Sequence, residues 1–379
     1  MRGALALASG EIFPGEIVHL PEPTRPRGVA ARGAGCGIGA AVFNTSMTGY
    51  QEVLSDPSYA GQIVVMTYPF QGQYGLEELA QQAERPALAG FVVAELWDGA
   101  VARAAGLRTL RQYLCHYDVP SITGVDTRAV VQAIRRDGSV TAQLVAGLPA
   151  AADELDWPQP PSDLVPRVAS HATFHLPSAP TTPARASVAL LDLGVKRDIV
   201  RQLRSLGAEV TVYGWETTAE EILAAAPDAL LISNGPGDPR DIPTVIENVA
   251  ILAERLPTFG ICLGHQVLAL AFGAQTAPMS FGHHGGNHPV RELSSGRAFV
   301  TAQNHSYAVL AEGIPADLEV THIQLNDGCV EGLRHRSLPV WGVQFHPEGA
   351  PGPFDAAPEL ARFVATAAAA KVGEGAAHV

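Results

Sequence analysis

Apolar and polar positions follow two rhythms along the chain. Up to about residue 155, short alternations such as Ala4-Leu5-Ala6-Leu7 and Gln62-Ile63-Val64-Val65-Met66 sit between turn-forming residues. That is the period-two signature of strands, and only a few helices are expected, one of them over 130–136. From residue 186 onward the rhythm becomes strand, helix, strand, helix. Residues 188–191 read as a strand, Ile199, Leu203 and Leu206 then recur at helical spacing, and Gly207 supplies the stop. Residues 210–213 give the next strand, Thr218-x-x-Glu221 a capping box that opens a helix, and 229–232 a third strand running into a glycine-rich loop.

Between the two rhythms, residues 156–185 hold seven prolines, Pro158, Pro160, Pro161, Pro166, Pro177, Pro180 and Pro183. Fixed φ angles and missing amide donors argue against a regular helix or an inner strand there and predict a linker. The expected organisation is therefore an N-terminal domain at 1–155, a proline-rich linker at 156–185 and a C-terminal domain at 186–379. The fold class is α/β: a C-terminal doubly wound, mostly parallel sheet plus a β-rich α/β N-terminal domain. Parallel sheets of this kind place their sites beyond the carboxyl ends of the strands.

Composition narrows the partners. The chain has 379 residues, enough for two cores, and 47% of them are apolar, so a buried interior is expected rather than disorder. Its 25 basic against 38 acidic residues leave a formal charge of -13, which gives nucleic acid no basic surface to bind. No apolar run approaches the roughly 20 residues of a membrane span, and the apolar stretch at 4–8 is too short for a signal peptide, so a cytoplasmic protein is expected. The cysteines Cys36, Cys115, Cys262 and Cys329 are scattered without C-x-x-C pairing, which speaks against a disulfide framework or a zinc site.

Chemistry concentrates in the C-terminal half. Thr258-Phe259-Gly260-Ile261 reads as a buried strand, followed at once by Cys262, Leu263-Gly264 and an apolar helix over 265–272. Gly260-x-Cys262-x-Gly264 has the form of a nucleophile elbow, with glycines flanking because side chains there would collide with strand and helix. The helix start favours thiolate over thiol. The base is expected at the end of the last strand, 340–345, in His346-Pro347-Glu348: proline keeps the segment extended, and residues two apart then project to the same side. Glu348 can thus orient His346, completing a nucleophile-base-orienter triad. The loop Ser233-Asn234-Gly235-Pro236-Gly237-Asp238-Pro239 exposes backbone amides at the same sheet edge, where with that of Leu263 they could hold an oxyanion.

These residues resemble the class I glutamine amidotransferases, a family with a Cys-His-Glu triad. The resemblance rests on 233–239, on Phe259-Gly260-Ile261-Cys262-Leu263-Gly264-His265-Gln266 and on His346-Pro347-Glu348. Phe43-Asn44-Thr45-Ser46-Met47-Thr48-Gly49-Tyr50-Gln51-Glu52, Asp56-Pro57-Ser58-Tyr59, Gly124-Val125-Asp126-Thr127-Arg128 and Gln303-Asn304-His305 extend it along nearly the whole chain, to the sub-family of carbamoyl-phosphate synthetase small subunits. What the resemblance implies is a glutaminase in which Cys262 forms a thioester, His346 carries the proton and Glu348 orients it. It places glutamine against Ser58, Gly235, Gly237, Leu263, Gln266, Asn304, Ser306 and Tyr307. It implies ammonia channelled to a large synthetase subunit in a heterodimer, for arginine and pyrimidine biosynthesis, with ATP and metal ions on that subunit. This chain itself would need no cofactor and no metal, and it has no G-x-x-x-x-G-K-[ST] loop. Ser306 stands where the family usually has glycine, and a Cβ there would restrict the backbone that aims an amide at the substrate.

Other readings stay open at this level: a glutaminase feeding another synthetase, a scaffold that keeps the fold without catalysis, or a free-standing cysteine peptidase. Two weaker signals are set aside. Gly35-Cys36-Gly37-Ile38-Gly39-Ala40 matches a dinucleotide pattern without a strand before it or a helix after it, and His283-His284-Gly285-Gly286-Asn287-His288 reads as a structural loop.

Overall fold

A computed structural model describes residues 1–21, 37–99, 107–159 and 161–377. The chain forms two compact units: Met1–Arg167 together with Ser280–Gly285, and Val168–Met279 together with Gly286–Val379.

In the first unit, β1 (Arg2–Leu7), β2 (Ile12–His19), β3 (Ile38–Asn44), β4 (Gln62–Met66), β6 (Gly90–Val92), β8 (Ser121–Thr123) and β9 (Thr141–Ala146) close into a barrel. Its order is β1-β2-β8-β6-β4-β3-β9, and β5 (Phe70–Gln71) and β7 (Glu95–Leu96) form a small separate ribbon. Closure satisfies strand edges that an open sheet would leave bare. Strand β4 shows why its apolar run is unbroken. Ile63 and Val65 enter one buried cluster with Leu5, Leu7 and the face of α3 (Thr127–Asp137), whereas Val64 and Met66 enter another with α1 (Tyr50–Ser55) and α2 (Leu110–His116). Both faces are covered, so alternation disappears. Residues 37–40 lead into β3 rather than into a helix, and Gly35 and Cys36 of the discounted dinucleotide pattern lie outside the described residues.

The N-terminal motif is a set of clamps. Asn44 donates to the Tyr59 hydroxyl at 2.8 Å and accepts the Ser46 amide at 2.7 Å. Gln51 bonds both backbone groups of Glu77, donating to its carbonyl at 2.6 Å and accepting its amide at 2.8 Å. Gly49 takes φ 84° as it enters α1, a conformation that favours glycine.

The second unit carries one sheet ordered β10-β12-β11-β13-β14-β19-β18-β17-β15-β16. Its strands are β10 (Phe174–Leu176), β11 (Ala186–Asp192), β12 (Ala208–Gly214), β13 (Ala229–Ile232), β14 (Thr258–Ile261), β15 (Thr276–Glu292), β16 (Ala298–Val309), β17 (Leu318–Gln324), β18 (Val330–His335) and β19 (Val340–Val343). Strands β12, β11, β13, β14 and β19 run parallel, while β10 and β18 pair antiparallel to the two ends of that block. Helices α5 (Arg197–Ser205) and α9 (Pro358–Ala377) pack together beside β11 and β12; α6 (Ala219–Ala224), α7 (Pro243–Ala253) and α8 (Leu263–Ala271) form a second layer. The order reverses between β11 and β13, and that switch point opens a crevice at the strands' carboxyl ends. Among the described residues no helix is long and apolar enough to cross a membrane.

Three local expectations need correction. Residues 283–288 are no loop: they lie inside the 17-residue strand β15, which bends where Gly282 and Gly285 take positive φ. The last strand ends at Val343, not at Phe345: the Gln344 amide still bonds in register to Glu331 of β18, but the His346 amide then leaves that ladder for the carbonyl of Ala302. The proline-rich stretch holds a four-residue helix, α4 (Val165–Val168), and the edge strand β10. Both fit proline chemistry, since Pro166 sits in a first turn that has no amide acceptor to satisfy and an edge strand tolerates missing donors.

Candidate active site

Four chain segments converge past the carboxyl ends of β11, β13, β14 and β19. Cys262 forms the turn between β14 and α8, with φ 54° and ψ -105°, one of three positive-φ residues other than glycine among the described residues. The turn is possible because its neighbours lack side chains. A Cβ on Gly260 would stand 2.5 Å from the carbonyl oxygen of Gly264, and one on Gly264 would stand 2.2 Å from that of Ile232. Gly264→Ala is therefore expected to lower stability by about 3 kcal/mol or prevent folding, since both obstacles are backbone atoms that cannot swing aside. Urea denaturation checks this, and an unchanged midpoint would show that the elbow yields.

The base is assembled from residues far apart in sequence. His346 Nδ1 lies 2.7 Å from Glu348 Oε1, which also takes the ammonium of Lys196 at 2.6 Å. Lys196 gives a second bond to the carbonyl of Ala350 at 2.8 Å, and Gln202 anchors the carbonyl of Glu348 at 2.8 Å. Lys196, His346 and Glu348 are all at most 1% exposed. Burial pushes the Glu348 carboxyl up, but the Lys196 ammonium, and after it the His346 ring, outweigh burial and hold it down at about 2. A carboxylate can only accept, so Nδ1 carries the proton and Nε2 presents its lone pair. That Nε2 is buried and makes no hydrogen bond.

Lys196 is placed by the loop after β11. Asp192 accepts the amides of Gly194 and Val195, each at 2.8 Å, and Asn234 accepts the Lys196 amide at 3.2 Å while donating to the Gly194 carbonyl at 3.0 Å. Ser233 joins the next two segments: its hydroxyl accepts the Leu193 amide at 2.9 Å and its carbonyl the Gly264 amide at 3.1 Å. The loop 233–237 is thereby fixed against the elbow. Gly235 is packed so closely that a Cβ would come within 2.3 Å of the Leu193 carbonyl oxygen, and Gly237 takes φ 89°. Leu263 opens α8, so its amide has no intrahelical partner.

Around the sulfur, Cys262 donates its thiol proton to the carbonyl of Asn304 at 3.5 Å and accepts from the side-chain amide of Gln344 at 3.6 Å. Gln266 Nε2 donates to the Tyr307 carbonyl at 2.7 Å and to Gln344 Oε1 at 3.0 Å, which leaves its own Oε1 as an acceptor. Ser306 lies in strand β16 without positive φ, so its Cβ meets no backbone restriction of the kind expected from sequence. Gly235, Gly237, Leu263, Gln266, Asn304, Ser306 and Tyr307 all belong to the second unit; Ser58 lies in the first, in the 3-10 turn Pro57–Tyr59, its amide bonded to Asp56 at 2.9 Å.

Lys196 and Gln344 escaped the sequence reading. One signal was there for Lys196: only two of the chain's 25 basic residues are lysines, so an ammonium at 196 departs from the chain's usual choice of arginine, and the two side chains are not interchangeable at a buried ion pair. Gln344 carried no such signal.

Comparison with known proteins agrees with both halves of the chain. Residues 189–366 match the family model for class-I glutamine amidotransferase, and residues 5–144 match that for the CPSase domain of the carbamoyl-phosphate synthase small chain. A carbamoyl phosphate synthase small chain of Bacillus caldolyticus is 43% identical over 96% of each chain. Those of Akkermansia muciniphila and Symbiobacterium thermophilum are 43% identical over 94% of each chain and 44% identical over 84% of this chain and 92% of the relative, respectively. With identity at this level running from barrel to elbow, the chain belongs to the carbamoyl phosphate synthase small chain family.

Proposed function

We propose that this chain is the glutaminase subunit of a carbamoyl phosphate synthase, with Cys262, His346 and Glu348 as its triad. The observation that carries the reading is the buried Lys196–Glu348–His346 chain, which leaves one bare ring nitrogen two residues after Gln344, whose side chain reaches the sulfur of the elbow cysteine. A neutral imidazole held in that tautomer accepts a thiol proton and afterwards returns it.

The reaction then runs as follows. The Cys262 S–H bond breaks, its proton passes to His346 Nε2, and the sulfur attacks the carboxamide carbon of L-glutamine. Amides of Gly235 and Leu263 stabilise the oxyanion, a contribution of roughly 3 kcal/mol per donor. As the tetrahedral species collapses, His346 protonates the departing nitrogen and ammonia leaves a thioester. A water that loses its proton to His346 cleaves the thioester to glutamate and restores the thiol. Gln266 Oε1, its amide hydrogens both engaged, accepts from the substrate, and Gly237, Asn304, Ser306 and Tyr307 line the remaining contacts.

The ammonia is consumed by a large partner subunit in a heterodimer, where ATP, metal ions and bicarbonate react, and the carbamoyl phosphate serves arginine and pyrimidine synthesis. This chain's own steps call for no cofactor. The test is to purify the chain with its large subunit and measure carbamoyl phosphate formed from glutamine and from ammonium. Both should support synthesis, with one glutamate released per product from glutamine. Synthesis from ammonium alone would leave the chain as a scaffold and sink the glutaminase reading.

A further inference from the structure

We propose that Gln344 is a further catalytic residue, whose side-chain amide donates a hydrogen bond to Cys262 Sγ and stabilises the thiolate. The inference rests on the glutaminase reading for the use of that thiolate, but not for its existence.

The direction of the bond follows from a chain of acceptors. Amide oxygen and nitrogen are hard to tell apart by position alone, so the assignment must come from the partners. The Tyr307 carbonyl can only accept, so the Gln266 atom 2.7 Å from it is nitrogen. That same nitrogen lies 3.0 Å from one end of the Gln344 amide, which must therefore be oxygen. The other end, 3.6 Å from Cys262 Sγ, is then the NH₂ group, a separation that the larger radius of sulfur allows. The Tyr307 backbone carbonyl, 45 residues beyond Cys262, thus fixes which face Gln344 shows the nucleophile.

Position reinforces direction. Gln344 and Gln266 are 0% and 2% exposed, so water does not compete for either amide. The Gln344 backbone is held too: its amide donates to the Glu331 carbonyl at 2.9 Å, and the carbonyl before it, that of Val343, accepts the Cys262 amide at 2.9 Å. In the resting thiol the proton points to Asn304 and the Gln344 bond is a weak one to neutral sulfur. When the proton moves to His346 Nε2, sulfur gains a full negative charge and the same bond becomes charge-assisted, without any reorganisation. On acylation the charge is gone and the bond weakens again, so it favours the attacking state over those on either side.

The test uses the full-length chain as wild type, Gln344→Met and Gln344→Glu. Methionine has similar volume and no donor; glutamate keeps the shape and presents acceptors only. Iodoacetamide labelling of Cys262, followed by mass spectrometry across pH, reads the thiolate directly. For Gln344→Met, labelling at neutral pH should slow about 10-fold, with the profile displaced to higher pH; kcat for glutamine should fall about 10-fold, with KM within about 2-fold of wild type. Gln344→Glu should be slower still. A folded Gln344→Met with the wild-type labelling profile overturns the proposal; should that variant not fold, Gln344→Glu decides by the same comparison. Failure of the glutaminase reading looks different, because the wild-type chain with its large subunit would then release no glutamate from glutamine, whatever the labelling of the Gln344 variants shows.

Discussion

Cys262→Ser should reduce glutamate release from glutamine by about 10³-fold or more, while the assembled synthetase keeps most of its rate with ammonium. Under the proposed function the two activities separate, because each would use a different subunit. Serine is slightly smaller than cysteine and fits the same elbow, so the crevice and the surfaces around it should persist. Chemically the exchange is severe. A hydroxyl holds its proton far more tightly than a thiol, and neither the start of α8 nor a hydrogen bond from Gln344 offsets that difference. His346 then lacks an acidic partner, and the carboxamide is left intact. Loss of synthesis from ammonium as well would show that the cysteine supports assembly, and the triad would lose its main argument.

The second large effect concerns Lys196 and Glu348. Glu348→Leu leaves a buried ammonium without its carboxylate, and Lys196→Met leaves a buried carboxylate without its ammonium. Each single change should cost about 3 to 5 kcal/mol, because an uncompensated charge remains in the interior. The double variant, Lys196→Met with Glu348→Leu, removes both charges and should recover most of that loss. Activity should not follow stability. With no carboxylate to fix the His346 tautomer, kcat should fall about 10²- to 10⁴-fold in Glu348→Leu and in the double variant alike. Urea denaturation beside a glutaminase assay checks the pattern; recovery of activity together with stability would mean that Glu348 acts only through the fold.

Acid sharpens the same point. Glu348 is held at about 2, below the ordinary carboxylate value of 4.5. A carboxyl depressed on folding contributes stability that is fully present above its unfolded value and is lost as pH falls through the folded one. Wild-type stability should therefore decline between about pH 4.5 and 2 partly through this residue. The double variant, lacking the group, should show a shallower slope in that window.

The sequence alone determined the α/β rhythm, the β-rich N-terminal half, the elbow around Cys262 and the pairing of His346 with Glu348. All of these are local: periodicity, glycine spacing and an extended two-residue step act within a few positions of the chain. Only the tertiary structure decided that the N-terminal strands close into a barrel, that residues 280–285 join that unit, that Lys196 reaches Glu348 across 152 residues, and that Gln344 faces the sulfur. Those depend on which segments share a sheet and on which buried polar atoms must find partners once water is gone, and neither is written in the spacing of any one segment.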